Sequence, residues 1–157
     1  MKNENIDEID IQRNYYKRTA DQYDELHNPD ETGEHYFALA CLAGLTNYLK
    51  IESILDIGCG TGRGLKYLKK LCPKIKIIGI EPVKKLREVA YSHGISKKEL
   101  IDEDATKLNF KNSEFDLVCE FGVLHHIKNN KLVVDEMLRV SKKAIFISDN
   151  NHLGEGS

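Results

Sequence analysis

The feature that most constrains the fold is a short apolar run that ends in an acid and a cluster of glycines, Ser53-Ile54-Leu55-Asp56-Ile57-Gly58-Cys59-Gly60-Thr61-Gly62. A short apolar run bounded by glycines predicts a buried strand. The glycines let the backbone turn sharply and let a ligand approach without meeting a Cβ. Leu65, Leu68 and Cys72 follow at helical spacing. A helix therefore begins at the turn, and its free N–H groups face the ligand.

The same alternation of strand and helix continues to the end of the chain. Apolar helical positions such as Val83, Leu86 and Ala90, and the helix at Leu132–Val140, separate further strands at Ile75–Ile80, Leu100–Ile101, Phe115–Cys119 and Ala144–Ser148. This order predicts an α/β fold, a Rossmann-like, doubly wound and mainly parallel sheet with helices on both faces. Ligands of such sheets bind at the carboxyl ends of the strands, where the strand order reverses.

Two helices are expected before the first strand, at Ile11–Leu26 and His35–Leu49. In the second helix, one side is predicted to be lined by Phe37, Cys41, Leu45, Tyr48 and Leu49. We expect one domain over residues 1–157, with residues 1–50 as an N-terminal helical lid and residues 51–150 as the Rossmann-like core. The four cysteines show no metal-ligand spacing, so we expect no metal and buried reduced thiols at Cys41, Cys59, Cys72 and Cys119.

The acid in front of the glycines distinguishes between two classes of cofactor. The loop lacks the G-x-G-x-x-G spacing that seats a pyrophosphate, because with Gly58 counted as the first position the sixth is Arg63 rather than glycine. The Asp56 carboxylate would repel a pyrophosphate, whereas it attracts an ammonium group. S-adenosylmethionine carries an ammonium and a sulfonium group and no phosphate. A second acid, Glu81 in Ile78-Gly79-Ile80-Glu81-Pro82, is placed to accept the ribose hydroxyls.

Residues Ile54–Gly64 resemble motif I of the class I S-adenosylmethionine-dependent methyltransferases, and the similarity extends from about Tyr16 to Asn150. Glu81-Pro82 resembles the ribose-binding element of this family, and Asp104-Ala105-Thr106 resembles its adenine-binding segment. Phe115–Glu120 resembles the fourth strand, and Leu124-His125-His126-Ile127 the motif after it. The resemblance implies a cofactor site formed by Tyr23, Asp56, Gly58, Cys59, Gly60, Glu81, Pro82, Asp104, Ala105 and Glu120.

The chain departs from the family at its end. It stops about nine residues after the fifth strand, so it lacks the usual C-terminal strand hairpin, and we expect a fragment of a longer protein. The apolar fifth strand would be an open edge, prone to self-association or open to a partner. Two functions are compatible with this pattern. The first is a methyltransferase acting on a small molecule, and the second is a cofactor-binding module that is inactive or dependent on a partner. A nicotinamide-dependent oxidoreductase is disfavoured by the glycine spacing.

The sequence does not identify a catalytic residue. His125 and His126 lie near the expected methyl group, and a histidine there can act as a base. The simpler interpretation is that one histidine packs under the loop and the other faces solvent or caps a helix. Asp149, Asn150 and His152 can line an acceptor pocket or form a polar tail. With 23 basic and 25 acidic side chains, the balance argues against a nucleic-acid partner. No apolar stretch suits a membrane span, and the polar start is no secretory signal, so we expect a cytoplasmic protein.

Overall fold

The computed structural model describes residues 14–15, 18–19 and 34–149. Residues 14–15 and 18–19 are helical, within the first predicted helix, whereas Tyr16, Ala20, Tyr23 and Asp24 lie outside the described residues. The helices that follow are α1 (Glu34–Tyr48), α2 (Arg63–Leu71), α3 (Lys84–Ser92) and α4 (Asn130–Val140). The strands are β1 (Ser53–Ile57), β2 (Lys76–Ile80), β3 (Leu100–Ile101), β4 (Phe115–Phe121) and β5 (Ser141–Ser148). A short 3-10 turn, Leu124–His126, follows β4.

The strands form one five-stranded sheet in the order β3-β2-β1-β4-β5. Every neighbouring pair runs parallel. The α/β prediction is therefore confirmed. The order reverses between β1 and β4, because the chain builds outward on one side from β1 to β3 and on the other side from β4 to β5. The carboxyl ends of β1 and β4 thus flank the point where a ligand is expected.

Helices cover both faces of the sheet. On one face, α1, α2 and part of α3 pack on strand residues such as Ile54, Leu117 and Cys119. On the other face, Val133, Met137 and Val140 of α4 pack against the alternate strand residues. Strands β1 and β4 are buried along nearly their whole length, which explains their continuous apolar runs. The sheet therefore holds the carboxyl ends of its central strands rigidly in place.

The side of α1 that the sequence marks as apolar does not face the core. Phe37, Leu45 and Tyr48 are exposed, with Tyr48 at 83% exposure. Cys41 is also exposed, which corrects the expectation of four buried thiols. The buried side consists instead of Ala38, Leu39, Leu42 and Thr46, with the predicted Leu49 partly buried against the same core. The helix carries apolar residues on both sides, so its periodicity alone could not identify the side that meets α2 and β5.

Strand β5 lies at the edge of the sheet and, within the described residues, pairs only with β4. It begins at Ser141 rather than at the predicted Ala144, and a register irregularity opposite Phe115–Leu117 accommodates the earlier start. Its side chains are half-buried or exposed, including Ile147 at 43%. The described part of the chain contains no helix that is long and apolar enough to cross a membrane.

Candidate functional site

The glycine loop leaves β1 in a conformation that favours glycine. Gly58, Gly60 and Gly62 have φ angles of 66°, 54° and 77°, in the left-handed region that other residues rarely adopt. The loop is tied to β2, because the Cys59 N–H donates to the Ile80 carbonyl at 3.0 Å. The Cys59 side chain occupies the space above Gly79, where a Cβ would collide with its sulfur. The glycine turn predicted from the sequence is therefore built as expected.

Glu81 lies at the carboxyl end of β2 and faces this loop. Its carboxylate accepts the N–H groups of Gly60 at 3.1 Å and of Val83 at 2.8 Å. The buried Arg87 donates to the Glu81 carbonyl and to the Asp102 carboxylate, both at 2.5 Å. These bonds hold Glu81 between the loop and α3, with the half-buried Pro82 beside it. The structure thus brings Glu81 against the glycine loop, although Gly60 and Glu81 are 21 positions apart in the sequence.

Asp56 is buried near the end of β1. Cys119 donates its thiol to Asp56 Oδ1 across 3.8 Å, and among the described residues this carboxylate has no salt bridge. Burial, together with the nearby carboxylates of Glu120 and Glu81, raises the pKa of Asp56 to about 7. Burial and the Asp56 charge likewise raise the pKa of Cys119 well above its ordinary value. The first strand therefore ends in an acid that a nearby positive charge would stabilise in its ionised form.

Glu120 lies near the end of β4, opposite Ile57 of β1, and is fully buried. Its Oε2 accepts the Val123 N–H at 2.9 Å, whereas Oε1 has no hydrogen-bond partner within the described residues. Burial and the negative charge of Asp149 raise the pKa of Glu120 to about 7. A buried carboxylate oxygen without a partner is energetically unfavourable unless a ligand supplies the missing donor. Glu120 therefore presents an acceptor to a group that approaches the carboxyl end of β4.

The adenine-binding segment predicted at Asp104 and Ala105 follows β3 at the same edge. Asp104 Oδ1 accepts the Thr106 N–H at 2.9 Å and its hydroxyl at 2.6 Å. Ala105 is buried in the core beneath this turn. The carboxylate of Asp104 is exposed, which leaves it accessible beyond the turn that it stabilises. Tyr23, the remaining predicted cofactor residue, lies outside the described residues, as do Asn150 and His152.

Sequence reasoning missed the pairing of His125 with Asp149. The His125 N–H donates to Asp149 Oδ2 at 3.0 Å, and the ring Nδ1 forms a short hydrogen bond with Oδ1. The two residues are 24 positions apart, and no periodicity connects them. The available signal was topological, since each follows one of two adjacent parallel strands. The His126 ring lies beside the His125 ring at a centroid distance of 3.7 Å.

The arrangement is an acidic edge suited to a positively charged organic ligand. Asp56, Glu81 and Glu120 are all buried, at 2%, 5% and 0% exposure, at the carboxyl ends of adjacent strands. In the described part of the chain, no group of three or more His, Cys, Asp or Glu side chains is arranged to hold a metal ion. The raised pKa values of Asp56 and Glu120 show that burial disfavours their ionised forms, and a bound cation would supply the charge that favours those forms.

Comparison with known proteins agrees with this geometry. A family model described as a methyltransferase domain matches residues 55–147. An uncharacterised methyltransferase of Schizosaccharomyces pombe is 27% identical over 145 residues, which cover 85% of this chain and 50% of that protein. The malonyl-[acyl-carrier protein] O-methyltransferase of Legionella pneumophila is 36% identical over 97 residues, covering 59% of this chain and 34% of that protein.

A solved structure shows the same fold. The plantazolicin methyltransferase, crystallised with a pentazolic desmethylPZN analogue and S-adenosylhomocysteine, superposes with a TM-score of 0.70 at 22% identity, covering 94% of this chain and 62% of that one. The chain spans about half the length of the S. pombe relative and about a third of the L. pneumophila one. The match over residues 55–147 includes the glycine loop, Glu81 and Glu120 and extends into β5. The chain therefore belongs to the methyltransferase-domain family of class I, S-adenosylmethionine-dependent enzymes.

Proposed function

We propose that this chain binds S-adenosylmethionine at the carboxyl edge of its sheet and contributes to methyl transfer to a small molecule. The observation that carries the proposal is the fully buried Glu120, whose Oε1 has no partner in the described residues, beside the buried Asp56. The proposed cofactor residues that the structure describes are Asp56, Gly58, Cys59, Gly60, Glu81, Pro82, Asp104, Ala105 and Glu120. Tyr23 is proposed from the sequence alone.

The chemistry of the cofactor fits these residues. S-adenosylmethionine offers an ammonium group, a sulfonium group and ribose hydroxyls, and the site offers carboxylate oxygens and a glycine loop without side chains in the way. A cation next to a buried carboxylate offsets the cost of removing that carboxylate from water. When bound, the cofactor supplies an activated methyl group on a positively charged sulfur. The chain's own residues then have to bind, orient and exclude water.

The charge balance of the sequence and the names of two similar proteins support a small-molecule acceptor. The 23 basic and 25 acidic side chains give no overall basic character of the kind that nucleic acids select. The L. pneumophila relative is named for methylating a malonyl group on a carrier protein. The plantazolicin methyltransferase was crystallised with a desmethylPZN analogue.

A second candidate is a cofactor-binding module that needs a partner for activity. The edge strand β5 favours this candidate. Its apolar side chains are half-buried or exposed, and in the described residues it pairs only with β4. An exposed, apolar strand edge is a template for pairing with another strand. Addition of strands there, from a partner or a second copy, would complete the acceptor side of the site. In that case the chain binds the cofactor by itself and transfers no methyl group.

Calorimetric titration with S-adenosylhomocysteine tests the cofactor site directly. We expect micromolar binding, weakened at least about tenfold in Asp56→Asn and in Glu81→Gln, since each change removes a hydrogen bond to a charged group. Asp135→Asn is the matched control, because this exposed acid of α4 pairs with the exposed Lys131. Absence of binding to the folded chain would contradict the proposal. Binding without turnover on a panel of hydroxyl, amine and carboxyl acceptors would favour the partner-dependent module.

A further inference from the structure

The His125–Asp149 pair has the geometry of an oriented base. Both donors of His125, its backbone N–H and its ring Nδ1, bond to the two oxygens of one carboxylate. A carboxylate only accepts hydrogen bonds, so the neutral ring must carry its proton on Nδ1. The lone pair then lies on Nε2. The side chains are 16% and 11% exposed, so the pair is shielded from water but not sealed from it.

Rigid backbone supports the pair. His125 belongs to the 3-10 turn Leu124–His126, which is closed by a bond from the His126 N–H to the Val123 carbonyl at 3.1 Å. The Gly122 N–H donates to the Ser148 carbonyl at 2.8 Å and so ties the end of β4 to the end of β5. Asp149 follows Ser148 directly. A site supported in this way keeps its side chains in one geometry.

The pair adjoins the proposed cofactor site. The charge of Asp149 contributes to the raised pKa of Glu120, which places the Asp149 carboxylate close to the end of β4. The Val123 N–H that Glu120 binds lies two residues before His125. Within residues 36–149, Nε2 of His125 makes no hydrogen bond, although Nδ1 does. A histidine that serves only to support a loop has no need of a lone pair directed away from its anchor.

We propose that His125 is the general base of the methyl transfer and that Asp149 is its positioning residue, with a hydroxyl compound as the acceptor. This inference rests on the proposed function. The hydroxyl proton moves to Nε2 while the oxygen keeps the bonding electron pair and forms the new bond to the methyl carbon. The carbon–sulfur bond breaks with its electrons on sulfur. One positive charge thus passes from sulfonium to imidazolium, where the Asp149 carboxylate stabilises it, and no other reactant is needed.

The class of acceptor follows from the need for a base. A neutral amine or a carboxylate attacks through an existing lone pair and needs no proton removed beforehand. An alcohol or phenol becomes a strong nucleophile only as its proton leaves, and an imidazole is well suited to accept that proton near neutral pH. Asp149 fixes the tautomer in the same way that the acid of a hydrolase triad does.

The first test determines the tautomer of the His125 ring and needs no methyl acceptor. Nitrogen NMR of the ¹⁵N-histidine-labelled chain at alkaline pH should show the proton of His125 on Nδ1, with the signal assigned by its loss in His125→Gln. In Asp149→Asn the amide can donate to Nδ1, so the proton should shift to Nε2. His126→Gln is the matched control and should leave the His125 pattern unchanged. A proton on Nε2 in the unmodified chain would overturn the proposal.

The second test measures the reactivity of Nε2. Diethyl pyrocarbonate attacks an unprotonated imidazole nitrogen, and the tryptic peptide of residues 112–128 contains His125 and His126 as its only histidines. In a His126→Gln background, modification of His125 should slow at least about tenfold on Asp149→Asn, since the reactive lone pair moves to the shielded Nδ1. His93, in a separate peptide, normalises the rates. Equal rates in both chains would overturn the assignment, because a histidine with a structural role alone does not require a reactive Nε2.

Titration with S-adenosylhomocysteine separates this inference from the proposed function. Neither His125→Gln nor Asp149→Asn should change the affinity more than about threefold, since neither residue is assigned to the cofactor. If the chain fails to bind S-adenosylhomocysteine while the tautomer and reactivity are as expected, the proposed function fails and the His125–Asp149 pair stands as an oriented base. If binding is normal and Nε2 is unreactive, the base assignment alone fails.

Discussion

Strand β4 carries a buried carboxylate near each end, Asp116 near its start and Glu120 near its finish, at 7% and 0% exposure. At the start, the Glu52 N–H donates to Asp116 at 2.8 Å and the Lys143 ammonium lies 3.4 Å away. Although burial acts to raise it, these donors lower the pKa of Asp116 below its ordinary value. At the finish, burial and a neighbouring acid raise the pKa of Glu120 to about 7.

The opposite pKa shifts distinguish an acid whose charge is compensated within the chain from acids whose charge a ligand could compensate. Asp116 connects β4 to Glu52 and to the start of β1, since its backbone N–H also donates to Ser53 Oγ at 2.9 Å. Its charge is compensated within the chain. Glu120 and Asp56 have no compensating cation among the described residues, and nearby acids add to the cost of ionising both, Glu120 for Asp56 and Asp149 for Glu120. Uncompensated buried acids destabilise a fold, so their presence at one end of the sheet indicates a site.

The largest difference between the two ends of β4 should be the effect of substitutions on kcat. With a hydroxyl acceptor from the panel, His125→Ala at the carboxyl end should lower kcat by about 100-fold or more, because general-base catalysis contributes that much. The KM for S-adenosylmethionine should change little, and added imidazole should restore part of the rate. Asp116→Asn at the amino end should leave kcat within about twofold. A similar loss of kcat in both variants would remove the catalytic distinction between the ends.

The next difference concerns stability and its dependence on pH. The pKa of Asp56 is about 7 in the fold, against an ordinary 3.8, so the folded state binds this proton more tightly. Its contribution to stability is complete below pH 3.8 and is lost as pH rises towards 7. At pH 8, Asp56→Asn should therefore raise the free energy of unfolding by on the order of 3 kcal/mol, with no gain at pH 4. Urea denaturation at both pH values measures this, and a gain that did not vary with pH would contradict it.

Two glycines with positive φ angles should differ for steric reasons, one of them in the cofactor loop. Gly62, in the loop after β1, and Gly94, which precedes β3, both have positive φ angles, of 77° and 89°. A Cβ at Gly62 would collide with Ile95, whereas nothing lies within 4 Å of one at Gly94. Gly62→Ala should cost about 3 kcal/mol and Gly94→Ala about 1 kcal/mol, since only the first adds overpacking to backbone strain. Thermal unfolding of both variants measures the difference, and equal losses would show that the loop can move aside.

The smallest effect is expected at the compensated acid. Asp116→Asn removes the charge that binds Lys143 but keeps the side-chain shape, so it should lower the free energy of unfolding by about 1 kcal/mol at neutral pH. The loss should disappear at low pH, because the lowered pKa of Asp116 means that its contribution is lost as the group becomes protonated. A gain in stability at neutral pH would place Asp116 with the uncompensated acids and break the comparison.

The parallel sheet and the acids after β1 and β2 could be predicted from the sequence, because local patterns determine them. The strand–acid–glycine order located Asp56 and Gly58 correctly at the end of β1, and the spacing to Glu81 placed a second acid at the end of β2. The alternation of strands and helices predicted the parallel sheet, since each element buries a recognisable apolar face. These features depend on residues close together in the chain.

The remaining features depend on packing between distant segments. Residues Phe37 and Tyr48 of α1 are apolar but exposed, because the contacts with α2 and β5 select the opposite side of a helix with two apolar sides. The sequence also could not show that Glu120 Oε1 lacks a partner or that His125 meets Asp149. Both facts follow from how two adjacent strands end, which no local pattern specifies.

The most direct test of the central claim is calorimetric titration of S-adenosylhomocysteine into Glu120→Gln and Asp116→Asn, the two ends of β4. The account predicts that Glu120→Gln weakens binding at least about tenfold, because an amide cannot compensate a cationic ligand, while Asp116→Asn stays within about twofold of the unmodified chain. Undiminished binding in Glu120→Gln, or an equal loss in both variants, would contradict the claim that the acids at the carboxyl end form the cofactor site.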